Sequence, residues 1–431
     1  MKKILSFFLS FVLMFCIVGC SGGREEKDGE VSEAVAIEIP DTFVAGFGTA
    51  DITPYESVPL GGFGNEADRF SIGYLDYMYA MTVALSDAEG NTVLLIITDL
   101  SWGTETLAAM VRTAITAKYQ IPEENILVGG THNHEAPTVN DDSYPEIQKY
   151  NKYWLKSVVE SVDMALEDRQ PASMQTGRTE TENLTFVRRY WQEDGNFTTD
   201  NYQVSESPVV AHESEADEEI QMLRFVRENA EDIMIVNWQT HTHKSGMSYN
   251  ATTDFVGPLR NKVADELDCH CIFFQGACGN LNPTSRIEGE CYTETAKELG
   301  EAVADYVIAA SKTENCFSDV ASDVIKTQQT RLQANHKDGG VGTMELNTIA
   351  FGDVSIVTFP VEVFDITGMQ IKDQTPFEMT LLMGYTNGLT RYCPPKEQYA
   401  NGGYEVNNCV WASGTAEEIV GSYLDTLNKL H

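Results

Sequence analysis

Positive charge is scarce in this sequence. Its 431 residues include 29 Lys and Arg against 65 Asp and Glu, a formal net charge of -36. Such a surface repels nucleic acid and polyanionic substrates, and it suits a soluble body standing off an anionic membrane surface. No C-x-x-C pair occurs, so a zinc ribbon is not indicated. The glycine-dense stretches Val44 to Pro54 and Val58 to Gly64 have the spacing of neither a dinucleotide fingerprint nor a P-loop, and no Gly-Lys-Ser follows them. They read as a glycine-hinged loop that comes close to another backbone. The apolar run Ile4 to Val18 is shorter than the about 20 residues that a transmembrane helix needs.

That run follows the basic start Met1-Lys2-Lys3 and ends at Ile17-Val18-Gly19-Cys20, which is the layout of a secretion signal. Its end resembles a bacterial lipoprotein signal, in which Cys20 becomes the lipidated N-terminus. The expected layout is a signal over residues 1–20, a Gly-, Glu-, Lys- and Ser-rich tether over 21–38, and a folded body over 39–431. The corresponding location is extracytoplasmic, as a membrane-anchored bacterial lipoprotein. Without Cys16 and Cys20, seven cysteines remain: Cys269, Cys271, Cys278, Cys291, Cys316, Cys393 and Cys409. The odd count leaves at least one free thiol, with room for one or two disulfides outside the cytoplasm.

Strand and helix patterns alternate along the body. Met78 to Ser86 and Thr92 to Leu100 read as a hairpin turning at Asp87 to Asn91, and Thr104 to Lys118 as a helix stopped by Pro122. Tyr153 to Leu166 has helical periodicity. Ile220 to Val226 and Ile233 to Trp238 form the next strand pair, and Ser205 to Glu218 reads as a polar surface loop. A helix through Leu267, the strand Cys271 to Phe274, the strand Ser355 to Phe359 and the helix Ala416 to Leu430 complete the series. The fold class is α/β, a mixed central sheet with flanking helices and a metal site at strand C-terminal ends.

Two histidine motifs carry the chemistry. Asn125-Ile126-Leu127-Val128 delivers Gly129-Gly130-Thr131-His132-Asn133-His134-Glu135, and Ile233-Met234-Ile235-Val236 delivers Thr240-His241-Thr242-His243. Each is an apolar strand ending in a His-x-His unit. In an extended segment those side chains project to one side roughly 7 Å apart, so that one imidazole can bind a metal while the other faces the substrate. Two such ends side by side converge several imidazoles, and the common use of that arrangement is tetrahedral zinc with an open position. A nitrogen-rich set disfavours calcium and magnesium. The sequence leaves His241 and His243 open as alternatives.

Other candidates are weaker on residue type alone. Cys278 lies in a strand-to-loop turn, but with no basic partner nearby in sequence it reads as a small buried hydrophobe. Arg188 and Arg189 are adjacent on an aromatic-rich strand, Leu184 to Trp191, so one would serve a pocket and the other meet solvent. Glu362 follows a third strand end, between Val361 and Val363. Tyr392 and Tyr404 lie in a loop rich in Pro, Gly and Asn.

These segments together resemble the catalytic region of the neutral/alkaline non-lysosomal ceramidase family, zinc amidases outside the cytoplasm that hydrolyse the N-acyl bond of ceramide. The matching stretches are Gly46 to Pro54, Thr131 to Pro137, the Arg188 strand, the His241 segment, Gln275 to Pro283, Phe359 to Glu362 and Tyr385 to Glu405. The resemblance implies Zn2+ held by His132, His241, Glu362 and Tyr392. It also implies that His134, Arg188 and Tyr404 hold and polarise the amide carbonyl. Asn280 and Asn282 stand where the family carries an acidic residue and an active serine, and the chain ends at His431, before the family's C-terminal β-sandwich domain. The expected function is a ceramidase-like hydrolase cleaving an N-acyl bond in a small-molecule or lipid-like substrate other than ceramide. The alternative is a differently specialised or non-catalytic ligand-binding surface lipoprotein on the same fold, suggested by Asn282.

Overall fold

A computed structural model describes residues 34–64, 68–101, 105–139, 144–199, 207–321 and 324–431. The expected signal with Cys20, and most of the expected tether, lie outside the described residues. Eight strands build the large sheet: Val44–Asp51 (β1), Tyr79–Ser86 (β2), Thr92–Thr98 (β3), Ile126–Gly130 (β4), Gln170–Glu180 (β5), Glu219–Arg227 (β6), Asp232–Trp238 (β7) and Cys269–Gln275 (β8). Their order is β8-β7-β6-β5-β1-β2-β3-β4, and Ser318–Asp319 adds a ninth piece beside β5. A second, four-stranded sheet runs Ile325–Asn335 (β9), Val341–Phe351 (β10), Val354–Thr358 (β11) and Met379–Met383 (β12). All pairings within these two orders are antiparallel except three: β3 with β4, β7 with β8, and β11 with β12. Each parallel pair is joined through a helix, respectively Glu105–Tyr119 (α1), Val256–Leu267 (α3) and Asp365–Gln374 (α5).

Strand alternation sorts the core into layers. Along β3, Leu94 and Ile96 pack under α1 and Pro145–Glu167 (α2), while Val93, Leu95 and Ile97 face the second sheet. The far end of the large sheet is covered by α3 and Ala296–Ser311 (α4). On the second sheet, Ile349 and Ile356 face inward while Ala350 and Val357 join a cluster with Thr415–Leu430 (α6). The result is helices, sheet, sheet, helices. Strands β3, β4, β11 and β12 are buried on both faces, which is why strands such as β3 and β4 read as unbroken apolar runs, whereas β9 is only partly buried. No helix among the described residues is long and apolar enough to cross a membrane.

The first described residues are fastened to one end of this body. The Val35 N–H donates to the Lys118 carbonyl at 2.7 Å, at the C-terminal end of α1, and Ile37 packs on the helix-side cluster.

Several expectations are corrected. Gly46 and Gly48 sit inside β1 and not in a loop, although the close backbone approach is present: a Cβ on Gly48 would lie 2.0 Å from the Ser161 carbonyl oxygen of α2. Helix α2 begins at Pro145, one residue after the extended Tyr144, well before the apolar periodicity becomes strong. The Ser205 to Glu218 stretch is no simple loop, since Val209–His212 is a strand and Asp217 is buried and bonded to Lys372; residues 205–206 lie outside the described residues. All seven described cysteines are free thiols, so the disulfide expectation is not met. Cys269 and Cys271 stand two apart on one strand, roughly 7 Å from each other, beyond the span of a disulfide. Gly48→Ala is expected to lower stability by about 3 kcal/mol, because the carbonyl it meets is helix backbone and cannot turn away; urea unfolding of the full chain checks this.

Candidate metal centre

The three parallel pairs point their C-terminal ends at one place. Backbone bonds tie the loops there together: His134 N–H to the Thr242 carbonyl, Gly276 N–H to Trp238, Gly384 N–H to Gln275, and Asn387 N–H to Val128. Each pair supplies one candidate ligand and one group that supports it. After β4 comes His132, whose Nδ1 lies 3.1 Å from the Ser101 carbonyl beyond β3. After β7 comes His241, whose Nδ1 lies 2.9 Å from the Cys278 carbonyl beyond β8. After β11 comes Glu362, and after β12 Tyr385, which stacks on His132 with ring centroids 3.8 Å apart and hydrogen-bonds Glu362.

A carbonyl only accepts, so both Nδ1 atoms must carry their proton and both Nε2 atoms present a lone pair. Those Nε2 atoms lie 3.6 and 3.5 Å from the same Glu362 Oε2. His241 Nε2 and Glu362 Oε2 are buried with no hydrogen-bond partner. Buried polar atoms are seldom left so. A cation between them would satisfy both, and two imidazoles with a carboxylate suit a borderline-soft divalent metal.

His134 completes a buried group with His132 and His241 whose ligand atoms lie within 4.8 Å of one another. The 7 Å spacing expected of an extended His-x-His unit is therefore wrong. His132 adopts φ +60°, the left-handed region, which turns the segment and leaves the Nε2 atoms of His132 and His134 3.2 Å apart. Unlike the other two, His134 has a buried Nδ1 without a partner. His243 stands off this group, its ring 5.2 Å from that of His134 and 5.4 Å from that of His241.

Burial sets the protonation. Loss of water holds His132 down to about 3 and His243 to about 4, and His134 and His241 well below the usual value, with the Arg188 charge adding to each. Neutral imidazole is the ligating form. Burial likewise pushes the Glu362 carboxyl up to about 7, against the opposing pull of Arg188.

Tyr392 pairs with Glu362 in strand register and hydrogen-bonds its carboxylate, while its hydroxyl accepts from Arg188 Nη2 at 3.1 Å. The expectation that one of the two adjacent arginines meets solvent fails: Arg188 and Arg189 are 2% and 0% exposed. The strand is interrupted between Phe186–Val187 and Arg189–Gln192, and both guanidinium groups turn to Glu405, at 2.8 and 3.0 Å. Tyr404 opens the one-turn helix Tyr404–Asn407, its ring 5.6 Å from that of Tyr392 and 5.9 Å from the Arg188 guanidinium carbon. Asn282 sits further out, bonded to His243 and 3.4 Å from the Thr284 hydroxyl. Cys278 Sγ lies 3.0 Å from the Tyr385 hydroxyl, and burial pushes its thiol far up, as suits a packed residue and not a thiolate nucleophile.

Sequence reasoning missed Tyr385 and Glu405. For Tyr385 a signal exists: Met379 to Met383 followed by Gly384 repeats the apolar-run-then-glycine pattern of the first histidine loop. For Glu405 there is none, because its importance lies in being shared by two arginines distant in sequence.

The architecture is that of an α/β protein whose strand ends enclose a buried three-histidine group able to hold a metal. Residues 43–256 match the family described as neutral/alkaline non-lysosomal ceramidase, N-terminal, and through them the chain belongs to that family, as a ceramidase-like hydrolase. Two solved structures share the fold. Neutral ceramidase from Pseudomonas aeruginosa has a TM-score of 0.71 at 17% identity, over 90% of this chain and 74% of that one. A ceramidase complexed with C2 gives 0.73 at 16%, over 90% and 75%. No curated protein sequence matches the chain.

Because Glu362 keeps a proton up to about pH 7 and the imidazoles do not, metal uptake should expel one proton below that pH. Metal affinity is expected to fall about tenfold per pH unit below 7 and to level off above it. Titration with a chromophoric competitor between pH 5 and 8.5 checks this.

Proposed function

We propose that the protein is an extracytoplasmic zinc-dependent hydrolase that cleaves an N-acyl amide bond, with His132, His241 and Glu362 holding the metal and Tyr392 beside it. The observation that carries this is the pair of carbonyl-backed Nδ1 atoms, which aim two imidazole lone pairs at one unpartnered carboxylate oxygen. When bound, zinc supplies Lewis acidity and brings the pKa of a water to around 7. His134 has no such backing carbonyl, which favours a place facing the substrate. Arg188 is a fixed, permanently charged donor beside it, and the two would hold the carbonyl oxygen where charge builds during attack. Tyr404 lies over Arg188 and Asn282 against His243, where they would border the leaving side of the substrate. The substrate class is a small or lipid-like N-acyl compound, in line with the family.

The test is metal analysis of the purified protein together with turnover on a panel of N-acyl amides. His132→Ala and His241→Ala are expected to lose the metal. His134→Ala and Arg188→Ala are expected to keep it while turnover falls about 10²- to 10³-fold, the usual effect of removing such a donor. Loss of metal in His134→Ala would instead make the site a three-imidazole one. Stoichiometric zinc without turnover on any amide would favour the ligand-binding alternative.

The N-terminal signal supports anchoring through lipid on Cys20. Cys20→Ser is expected to move the protein from the membrane fraction to the soluble fraction, and persistence through an alkaline wash would count against the anchor.

A further inference from the structure

We propose that Glu405 is a positioning residue that aims Arg188, a role that rests on the place given to Arg188 above. Glu405 is fully buried, and its two oxygens are divided between two cations: Oε1 accepts from Arg188 Nε at 2.8 Å and Oε2 from Arg189 Nη1 at 3.0 Å. Arg189 is itself fixed from the other side by Glu213, at 2.5 and 3.2 Å, and by the Gly402 carbonyl at 3.1 Å. Glu405 is therefore held from behind, and Arg188 is held by it.

The remaining nitrogens of Arg188 are then decided. Nη2 donates to the Gly279 carbonyl at 2.8 Å and to the Tyr392 hydroxyl at 3.1 Å. Nη1 has no hydrogen-bond partner among the described residues. With Nε and Nη2 committed, the planar guanidinium can present only Nη1 to a substrate, in a fixed direction.

A competing arrangement shows why the carboxylate is needed. Glu362 is a second buried carboxylate close enough for Arg188 to act on its charge. An arginine without Glu405 would be drawn into a two-pronged pair with Glu362, occupying the oxygens that would hold the metal and turning Nη1 away from the substrate. Glu405 prevents this by engaging Nε, while the Gly279 carbonyl and the Tyr392 hydroxyl take both hydrogens of Nη2. The local backbone is built for the contact. Gly403, at φ +94°, lets the chain pass so close that a Cβ there would meet Thr199 Cγ2 at 2.6 Å and Arg189 Nη1 at 3.0 Å. Tyr404 precedes Glu405 on the same turn, so the same contact fixes the ring that lies over Arg188.

The experiment is a double-mutant cycle of Glu405→Gln with Arg188→Ala on the zinc-loaded full chain. It has two readouts: turnover of an N-octanoyl amide, and calorimetric binding of octanoate, which does not depend on turnover. The expected result for Glu405→Gln alone is a fall in kcat of at least about tenfold with KM within about twofold, unchanged zinc content, and weaker octanoate binding. In the Arg188→Ala background the same substitution should add nothing to either loss. Equal effects of Glu405→Gln in both backgrounds, or a loss explained by missing zinc, would overturn the proposal. If octanoate binds and the cycle is non-additive but no amide is turned over, the hydrolase reading fails and the positioning role stands. Failure of the parent protein to bind octanoate overturns the placement of Nη1. Should Glu405→Gln not fold, Arg189→Lys, which loosens Glu405 without removing it, is carried through the same cycle and is expected to give a smaller loss that again vanishes without Arg188.

Discussion

A carboxylate and three imidazoles have been taken out of water at the ends of strands, and Arg188, whose charge acts on them, gives its hydrogen bonds to Glu405, Gly279 and Tyr392, leaving Glu362 Oε2 without a hydrogen-bond partner. That imbalance organises the molecule. Desolvation keeps the histidines neutral and drives the Glu362 carboxyl up to about 7, so without a metal the centre is held in a state that two backbone carbonyls and two tyrosine hydroxyls only partly satisfy. A buried unpaired charge is costly enough that the group protonates. The same arrangement becomes favourable once a divalent ion replaces that proton.

The fold meets this constraint by repetition. Three times a hairpin runs into a helix and returns as a parallel strand, and each time the two parallel strands deliver one candidate ligand and one supporting group. Because the strands are close-packed on both faces, their ends cannot drift. The supporting carbonyls of Ser101 and Cys278 belong to loops that follow neighbouring strands, so the imidazole orientation is as rigid as the sheet. Arg188 enters from outside these units and is correspondingly held by its own buried ion pair.

Much of this was legible in the sequence. Apolar runs closing on glycine or histidine marked β4 and β7, and the strand before Glu362 marked β11, because a doubly covered strand must be apolar throughout. The residue types at each end then pointed to a buried group able to hold a metal. What could not be read was geometry set by single dihedrals and distant partners. The left-handed φ of His132 brings together two imidazoles that strand alternation would separate, and nothing in Thr-His-Asn-His announces it. Arg189 was misplaced for a related reason: alternation assumes a continuous strand, and the break before it turns both arginines inward to a carboxylate more than 200 residues away. Helix α2 extends past its clear periodicity because its first turn begins at Pro145, a residue that favours a helix start and carries no periodic signal.

The chain's first described residues leave the body beside the C-terminal end of α1, where Val35 meets Lys118. Helix α1 runs back along β3 and β4, so this exit lies at the opposite end of the sheet from the metal centre, roughly 20 Å away at the rise of the seven-residue β3. Material joined to the chain at this end therefore starts on the far side of the body from the histidine cluster and need not lie across it.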